Sequence, residues 1–306
     1  MIEERVLMFG PGASQVGVLN EPSAKAGDGR LAVIFLNAGW LHHVGPHRLH
    51  VQLARALSRR GLASLRIDLS GIGDSPPRAD HRSIYDLVRL EPGEAMDALD
   101  AQGFQRYALV GICSGAYSAF HVACDDRRVV SAVMINPEDL MQGEGGDAAD
   151  LSQAWARRYW TRSVLRPRAW LNLVSGRVNY QRLLDTLVRQ LRPSPAAAGA
   201  AAGGGLQALR ARLLAATAGG RLKLLFISSG DDVSREYLDL LLDDPTRRRA
   251  EGAVEHEVLE RCDHLFGRLE DQRRLLDLLL PWLAGPTQAP RPQGLSKPMS
   301  SKYAMR

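Results

Sequence analysis

The stretch GICSGA, residues 111–116, decides how this chain folds. It follows the strand-like run RYALV and leads into AYSAFHVAC, which has helical spacing. A sharp turn from strand to helix can expose a nucleophile, and it needs small residues two places before and after it. If Cys113 is the centre, those residues are Gly111 and Gly115. If Ser114 is the centre, they are Ile112 and Ala116, and the branched isoleucine is not small. The spacing therefore favours Cys113, against the alternative of an ordinary turn with a buried, inert cysteine.

Apolar runs with the length of buried strands recur on both sides of this turn. They occupy residues 31–39, 62–71, 106–115, 129–137 and 222–230. Stretches of helical periodicity, such as LHVQLARALSRRG at 49–61, separate the first four runs. This alternation predicts an α/β fold with a mostly parallel, doubly wound sheet, and RVLMF and QVGVL near the start predict an antiparallel edge hairpin.

The alternation breaks between Glu138 and Gly220, where far more residues intervene than a crossover helix needs. We expect an α/β core formed by 1–138 and 221–285, with residues 139–220 inserted as a helical cap or lid. Within the insertion, PSPAAAGAAAGGG at 193–205 reads as a flexible linker. Residues 286–306 are rich in proline and polar residues, so we expect a disordered tail.

A nucleophilic cysteine needs a base to form the thiolate and an acid to orient that base. In this strand order the acid follows the strand at 222–230 and the histidine follows the last strand. The sequence supplies Asp231 and Asp232 in ISSGDDVSREY, and His264 in VLERCDHLFG. We predict His264 as the base and leave the two aspartates open at this point.

The oxyanion hole requires two N–H groups directed at the reacting carbonyl oxygen. One should be the backbone amide of Ser114 at the start of the helix. The other should come from the loop after residues 31–39, where Gly39 allows a turn and Trp40 or Leu41 presents its amide. We also expect the Trp40 indole to cover the site.

A metal site is not predicted. Four histidines crowd residues 42–50, but no acid or cysteine near them in the sequence has ligand spacing. His81, His121, His256 and Cys262 are expected to be packing or solvated residues. The sequence implies no cofactor.

These motifs resemble the α/β-hydrolase superfamily. The resemblance rests on residues 37–75, GICSGA, SGDDVSREY and CDHLF, and within the superfamily they are similar to exosortase-A-associated hydrolases and related enzymes of biosynthetic clusters. Those enzymes place the acid two residues after the glycine, which implies Asp232 rather than Asp231. The cysteine at this turn is also a point of resemblance to dienelactone hydrolase and polyhydroxyalkanoate synthase, which use a cysteine there.

Composition excludes several other classes of protein. Three cysteines without framework spacing favour reduced thiols and a cytoplasmic location, and no apolar run is long enough to span a membrane. The net charge of +5 is spread along the chain without a recognition motif for nucleic acid.

The residues thus predict acyl transfer through a covalent thioester on Cys113. The preferred interpretation is hydrolysis of a thioester or activated ester. An acyltransferase with an amine or alcohol acceptor is the alternative, and a catalytically silent binding protein is the second alternative. Residues 151–192 contain nine arginines against one acid, Asp185. Such a segment fits an acidic acyl donor, a CoA ester or an acyl carrier protein, and it fits a solvated helix surface equally well. Contact with a membrane surface is a third interpretation.

Overall fold

A central sheet of eight strands organises the protein. The computed structural model describes residues 3–24, 30–80, 82–137, 140, 204–230, 232 and 234–284. The strands in chain order are β1 Glu3–Phe9, β2 Gln15–Glu21, β3 Leu31–Phe35, β4 Ala63–Asp68, β5 Arg106–Ile112, β6 Val129–Ile135, β7 Lys223–Ser229 and β8 Val254–Leu259.

The strand order across the sheet is β1-β2-β4-β3-β5-β6-β7-β8. The pairs β1–β2 and β2–β4 are antiparallel. The other five pairs are parallel, and they are β4–β3, β3–β5, β5–β6, β6–β7 and β7–β8. The predicted edge hairpin is therefore present, and its turn is the short 3-10 segment Pro11–Ala13. The α/β prediction of a mostly parallel sheet is confirmed.

Helices cover both faces of the sheet, as parallel strands require. In the described part of the chain they are α1 Leu49–Ser58, α2 Ile84–Asp100, α3 Ser114–Asp125, α4 Gly204–Thr217, α5 Ser234–Leu241, α6 Asp244–Arg249 and α7 Leu269–Ala284. The helices α1 and α7 pack on one face around Phe35 and Leu57. The helices α2 to α5 pack on the other face, around Phe120 and Phe226.

The helix α4 corrects the predicted boundary of the cap. Residues 139–220 were all expected to lie in the insertion, but Leu209 and Leu213 are buried in the core beside Phe120. The physical reason is that the parallel strands β6 and β7 need a crossover helix that covers the sheet, and α4 fills that position. The core therefore resumes at the start of α4 instead of at residue 221.

The remaining domain predictions fall on other parts of the chain. Most of the predicted cap, nearly all of the linker at 193–205 and the predicted tail at 286–306 lie outside the described residues. Among the described helices, none combines the length and the apolar content that a membrane crossing requires.

Candidate active site

Cys113 lies at the turn between β5 and α3. Its backbone has φ 57° and ψ −119°, a conformation that a residue with a side chain adopts only at an energetic cost. The amide of Cys113 donates to the carbonyl of Ile135 (2.9 Å), which ties the turn to the neighbouring strand. Ser114 is the first residue of α3, so the turn presents the thiol and not the hydroxyl as its central group.

The two glycines of the motif are required by close backbone packing. A Cβ on Gly111 would lie 2.0 Å from the carbonyl oxygen of Gly115. A Cβ on Gly115 would lie 2.6 Å from the carbonyl oxygen of Asn37, at the end of β3. Neither backbone atom can move away without displacing its strand or helix, so the positions two before and two after Cys113 accept only glycine.

His264 and Asp232 reach Cys113 from two other loops. The imidazole Nδ1–H of His264 donates to Oδ2 of Asp232 at 2.5 Å, and the Cys113 thiol is near enough to His264 to raise its pKa. Because the carboxylate uses Nδ1, Nε2 is the ring nitrogen left for the thiol. Asp231, the other candidate acid, lies outside the described residues. The structure thus brings Cys113, His264 and Asp232 together in one row, in which His264 is hydrogen-bonded to Asp232.

Burial makes this row electrostatically strong, since the Asp232 side chain is only 8% exposed and that of His264 is 31% exposed. Burial alone would raise the pKa of Asp232, but its hydrogen bonds with His264 and with Ser234 outweigh this and lower that pKa. The hydrogen bond to Asp232, followed by the bond to Cys113, raises the pKa of His264 to about 10. The imidazolium form is therefore favoured at neutral pH, the form that stabilises a neighbouring thiolate.

We expect the imidazole of His264 to titrate near pH 10 in the parent protein and at a clearly lower pH in Asp232→Asn. The asparagine side chain carries no charge, so it removes the largest cause of the raised pKa. NMR titration of the histidine ring resonances measures both values. Because the folded pKa lies above the ordinary 6.5, the stabilisation from this charge is complete below pH 6.5 and is lost as pH rises through about 10. An unchanged titration in Asp232→Asn would contradict the assigned partner.

Asn136 supports the row from behind, and sequence reasoning missed it. It follows β6 with φ 47° and is fully buried. Its Nδ2 donates to Ser229 Oγ and to the backbone carbonyl of His264, both at 2.8 Å, while its Oδ1 accepts from the Ser229 amide at 2.7 Å. Asn136 therefore holds the end of β7, which leads to Asp232, against the loop that carries His264. The only sequence signal was a polar Asn-Pro pair directly after a buried strand.

The loop after β3 carries the two amides predicted for the oxyanion hole, and of these only the Trp40 amide forms no hydrogen bond within the described residues. The Leu41 amide donates to the carbonyl of Ala38 (3.1 Å), so it closes a turn and does not face the carbonyl site. The amide of Gly39 donates to Ser114 Oγ (2.8 Å), which makes Gly39 the loop residue whose N–H reaches the nucleophile turn. Gly39 has a positive φ of 57°, which fits the turn predicted at this position. Trp40 is 81% exposed, so its indole packs against little of the protein.

Asp68, at the end of β4, holds this loop in place. Its fully buried carboxylate accepts from the His43 amide (2.5 Å) and from His43 Nδ1 (2.7 Å). It also accepts from Asn37 Nδ2 and from the Asp74 amide. His43, Asp68 and Asp74 are close enough to bind one ion, an acid cluster near the histidines that sequence spacing did not reveal. Because protein N–H groups already use both oxygens of Asp68, we interpret this cluster as a brace for the loop.

Other histidines and thiols have structural environments. Burial lowers the pKa of His50 to about 3 and, with a smaller effect of Arg247, that of His256 to about 4, so both are neutral. His121 is buried and its Nε2 donates to the carbonyl of Leu140 (2.7 Å). Cys262 is also buried, and this burial raises its thiol pKa to about 11. Its sulfur accepts from Arg274 Nη1 at 3.3 Å, which is consistent with a packing role.

The family to which the chain belongs was identified by comparison with models of known protein families. The chain matches the model of the Alpha/beta hydrolase family over residues 33–278. The protein is an α/β-hydrolase. Membership makes it a hydrolase-class enzyme, and the matched range includes Cys113, Asp232 and His264. Among curated proteins no significant match was found.

Solved α/β-hydrolase structures share the fold at low sequence identity. Proline iminopeptidase of Mycobacterium smegmatis is 15% identical, with a TM-score of 0.55 over 92% of this chain and 97% of that one. The esterase domain of a Rhodothermus marinus protein is 17% identical (TM-score 0.52; 93% and 98% covered). Dienelactone hydrolase of Anabaena variabilis is 14% identical (TM-score 0.52; 92% and 96% covered). At these identities the likeness establishes the fold alone, because one fold serves many substrates.

Proposed function

We propose that this α/β-hydrolase transfers acyl groups through a thioester on Cys113, with His264 and Asp232 as its partners. The observation that carries the proposal is the position of the His264 ring, which is hydrogen-bonded to the Asp232 carboxylate at 2.5 Å and is near enough to the thiol at the strained turn for that thiol to raise its pKa. An imidazole held in this way both withdraws the thiol proton and returns it to a leaving group.

The steps follow from these positions. The Cys113 thiolate attacks the carbonyl carbon of the donor, and the new C–S bond leaves the electron pair on the carbonyl oxygen. Collapse of this intermediate breaks the bond to the leaving group, which takes a proton from the His264 imidazolium. The neutral imidazole then takes a proton from water as the water attacks the acyl thioester. The C–S bond breaks, the acid is released, and the electron pair returns to the Cys113 sulfur beside the imidazolium.

A cysteine nucleophile restricts the donor. A thiolate is itself a good leaving group, so attack is productive when the displaced group leaves at least as readily. Thioesters and activated esters meet this condition, whereas amides do not. We therefore place hydrolysis of a thioester or activated ester first. Transfer to an amine or alcohol acceptor is the alternative, because the same thioester intermediate reacts with either.

The partner and the wider context stay proposals. The arginine-rich residues 151–192, which lie outside the described residues, suggest an acidic donor such as a CoA ester or carrier-bound acyl group. The similarity to exosortase-A-associated hydrolases of biosynthetic clusters and the cytoplasmic location likewise stay predictions, as does the helical cap.

Intact mass spectrometry with a panel of donors tests the function. We expect one acyl adduct from acyl-CoA, carrier-bound thioester or an activated neutral ester, and its decay in buffer indicates hydrolysis. Faster decay with added amine or alcohol, together with the acylated acceptor, would favour the acyltransferase. Donor binding without any adduct would instead favour a silent binding protein. If acidic donors are preferred, high salt should erase that preference and leave the neutral ester unaffected.

A further inference from the structure

Asn37 lies where β3 has ended and the loop with the predicted oxyanion amides begins. It is only 2% exposed, and the loop residues Ala38 and Gly39 follow it directly. Its backbone carbonyl oxygen is so close to the first turn of α3 that a Cβ on Gly115 would approach it to 2.6 Å. Asn37 therefore stands between the nucleophile turn and the loop, and the proposed mechanism does not yet use its side chain.

The side-chain amide of Asn37 makes three hydrogen bonds. Its Nδ2 donates to the backbone carbonyl of Leu41 at 2.9 Å and to Asp68 Oδ1 at 3.2 Å. Its Oδ1 accepts from the Leu69 amide at 2.9 Å. Two acceptors on one side and a donor on the other fix the orientation of the amide group, since only its nitrogen has hydrogens to donate. The side chain thus connects the loop to the end of β4.

Hydrogen bonds hold the peptide groups on both sides of the Trp40 amide. On one side, the Gly39 amide donates to Ser114 Oγ at 2.8 Å. On the other side, the Leu41 amide closes a turn and the Leu41 carbonyl accepts from Asn37. The Trp40 amide itself forms no hydrogen bond within the described residues. Of the three loop amides, that of Trp40 is therefore the one left for the oxyanion.

We propose that Asn37 is a positioning residue for the oxyanion hole, in an inference that rests on the proposed function. Its bond to the Leu41 carbonyl fixes the loop on the far side of the Trp40 amide. Without that bond the peptide groups of the loop rotate more freely, and the Trp40 N–H turns away from the oxygen that gains charge when Cys113 attacks. A donor that must reorient during the reaction stabilises that charge less than one already in place.

Asn37→Asp tests this role, because it keeps the shape of the side chain and removes both of its donors. Acylation passes through an oxyanion, whereas alkylation by iodoacetamide displaces iodide at a CH₂ group and forms none. At neutral pH we expect the acylation rate at saturating donor to fall by about 10²-fold, the usual effect of losing one oxyanion donor, with little change in the half-saturating concentration. Alkylation of Cys113 should stay within about twofold of the parent, because the thiolate itself is unaltered.

The pH dependence of the same variant separates loop positioning from general damage. The new carboxylate of Asn37→Asp lies beside Asp68, and two carboxylates at one site share a proton, so the pKa of the pair is raised. Below that pKa the protonated carboxyl is again a donor for Asp68 or for the Leu41 carbonyl. The acylation rate of the variant relative to the parent should therefore rise as pH falls. The other charged groups near Asp68 are the same in both proteins, and they are His43, Asp74 and Arg66.

Asn20→Asp is the matched control. Asn20 is another buried asparagine of the same sheet, in β2, and its Nδ2 also donates to a carboxylate, Glu4 Oε1, at 2.9 Å. The same substitution there should leave the acylation rate within about twofold of the parent, because it is away from the loop. If Asn37→Asp does not fold, Asn37→Ser removes the bond to Leu41 without adding a charge. Its acylation should also fall while its alkylation does not.

Three results would overturn the role of Asn37. Acylation of Asn37→Asp at the parent rate would mean that the Trp40 amide does not depend on this side chain. Equal losses in acylation and alkylation, or an equal loss in Asn20→Asp, would indicate general damage. A ratio of variant to parent rates that stays constant with pH would mean that the missing donor is not the cause. A parent enzyme that is alkylated at Cys113 but acylated by no donor would instead remove the proposed function, and this role with it.

Discussion

Replacing Cys113 with alanine should abolish covalent acylation of the protein. The parent is expected to carry a single acyl group after exposure to an acyl thioester, and Cys113→Ala should carry none. The reason is that the other thiols lack the same environment: burial raises the thiol pKa of Cys262 to about 11, so little of it is thiolate at neutral pH. Intact mass, followed by peptide mapping of the modified residue, measures the effect. Iodoacetamide should give the same pattern.

Cys124 offers a matched control for this experiment. It is another partly buried cysteine, and it lies on α3, the helix that begins at the residue after Cys113. Cys124→Ala should be acylated at Cys113 as fast as the parent. Undiminished acylation of Cys113→Ala, or an adduct mapped to the hydroxyl of Ser114, would mean that the nucleophile has been misassigned.

Replacing Asp232 with asparagine should slow acylation of Cys113 by on the order of 10³-fold, as loss of the orienting acid does in other triads. The asparagine removes the charge that holds the His264 imidazolium, and it allows the amide group to turn its NH₂ toward Nδ1, which leaves the ring misoriented. Single-turnover acylation followed by mass spectrometry measures the rate.

Asp231→Asn is the matched control, since it removes a charge of the same type from the adjacent position in the sequence. We expect it to acylate within a few-fold of the parent, as is usual for a substitution away from the reacting groups. If Asp231→Asn is the damaging change and Asp232→Asn is nearly silent, the choice of acid made from the family spacing is wrong.

Local patterns predicted most of the sheet because each buried strand is a short apolar run bounded by turn residues. The strand β8 has no such run, since most of its residues are only partly buried at the edge of the sheet. Only its place before His264 implied it. The helix α4 was assigned to the cap because its sequence, GGLQALRARLLAAT, continues a glycine- and alanine-rich stretch, and its burial against α3 is a tertiary fact.

The candidate site divides in the same way. The sequence by itself determined that Cys113 and not Ser114 is at the centre of the turn, because the glycine spacing reflects backbone contacts between residues only four apart. The chain order also predicted which strands would be followed by the acid and by the histidine. The tertiary structure decided which groups meet: the His264 bond to Asp232 beside Cys113, the support from Asn136, and the bond of the Gly39 amide to Ser114 Oγ. The physical reason is that these contacts join loops far apart in the chain, and whether a given N–H reaches its acceptor depends on turns that shift by one residue.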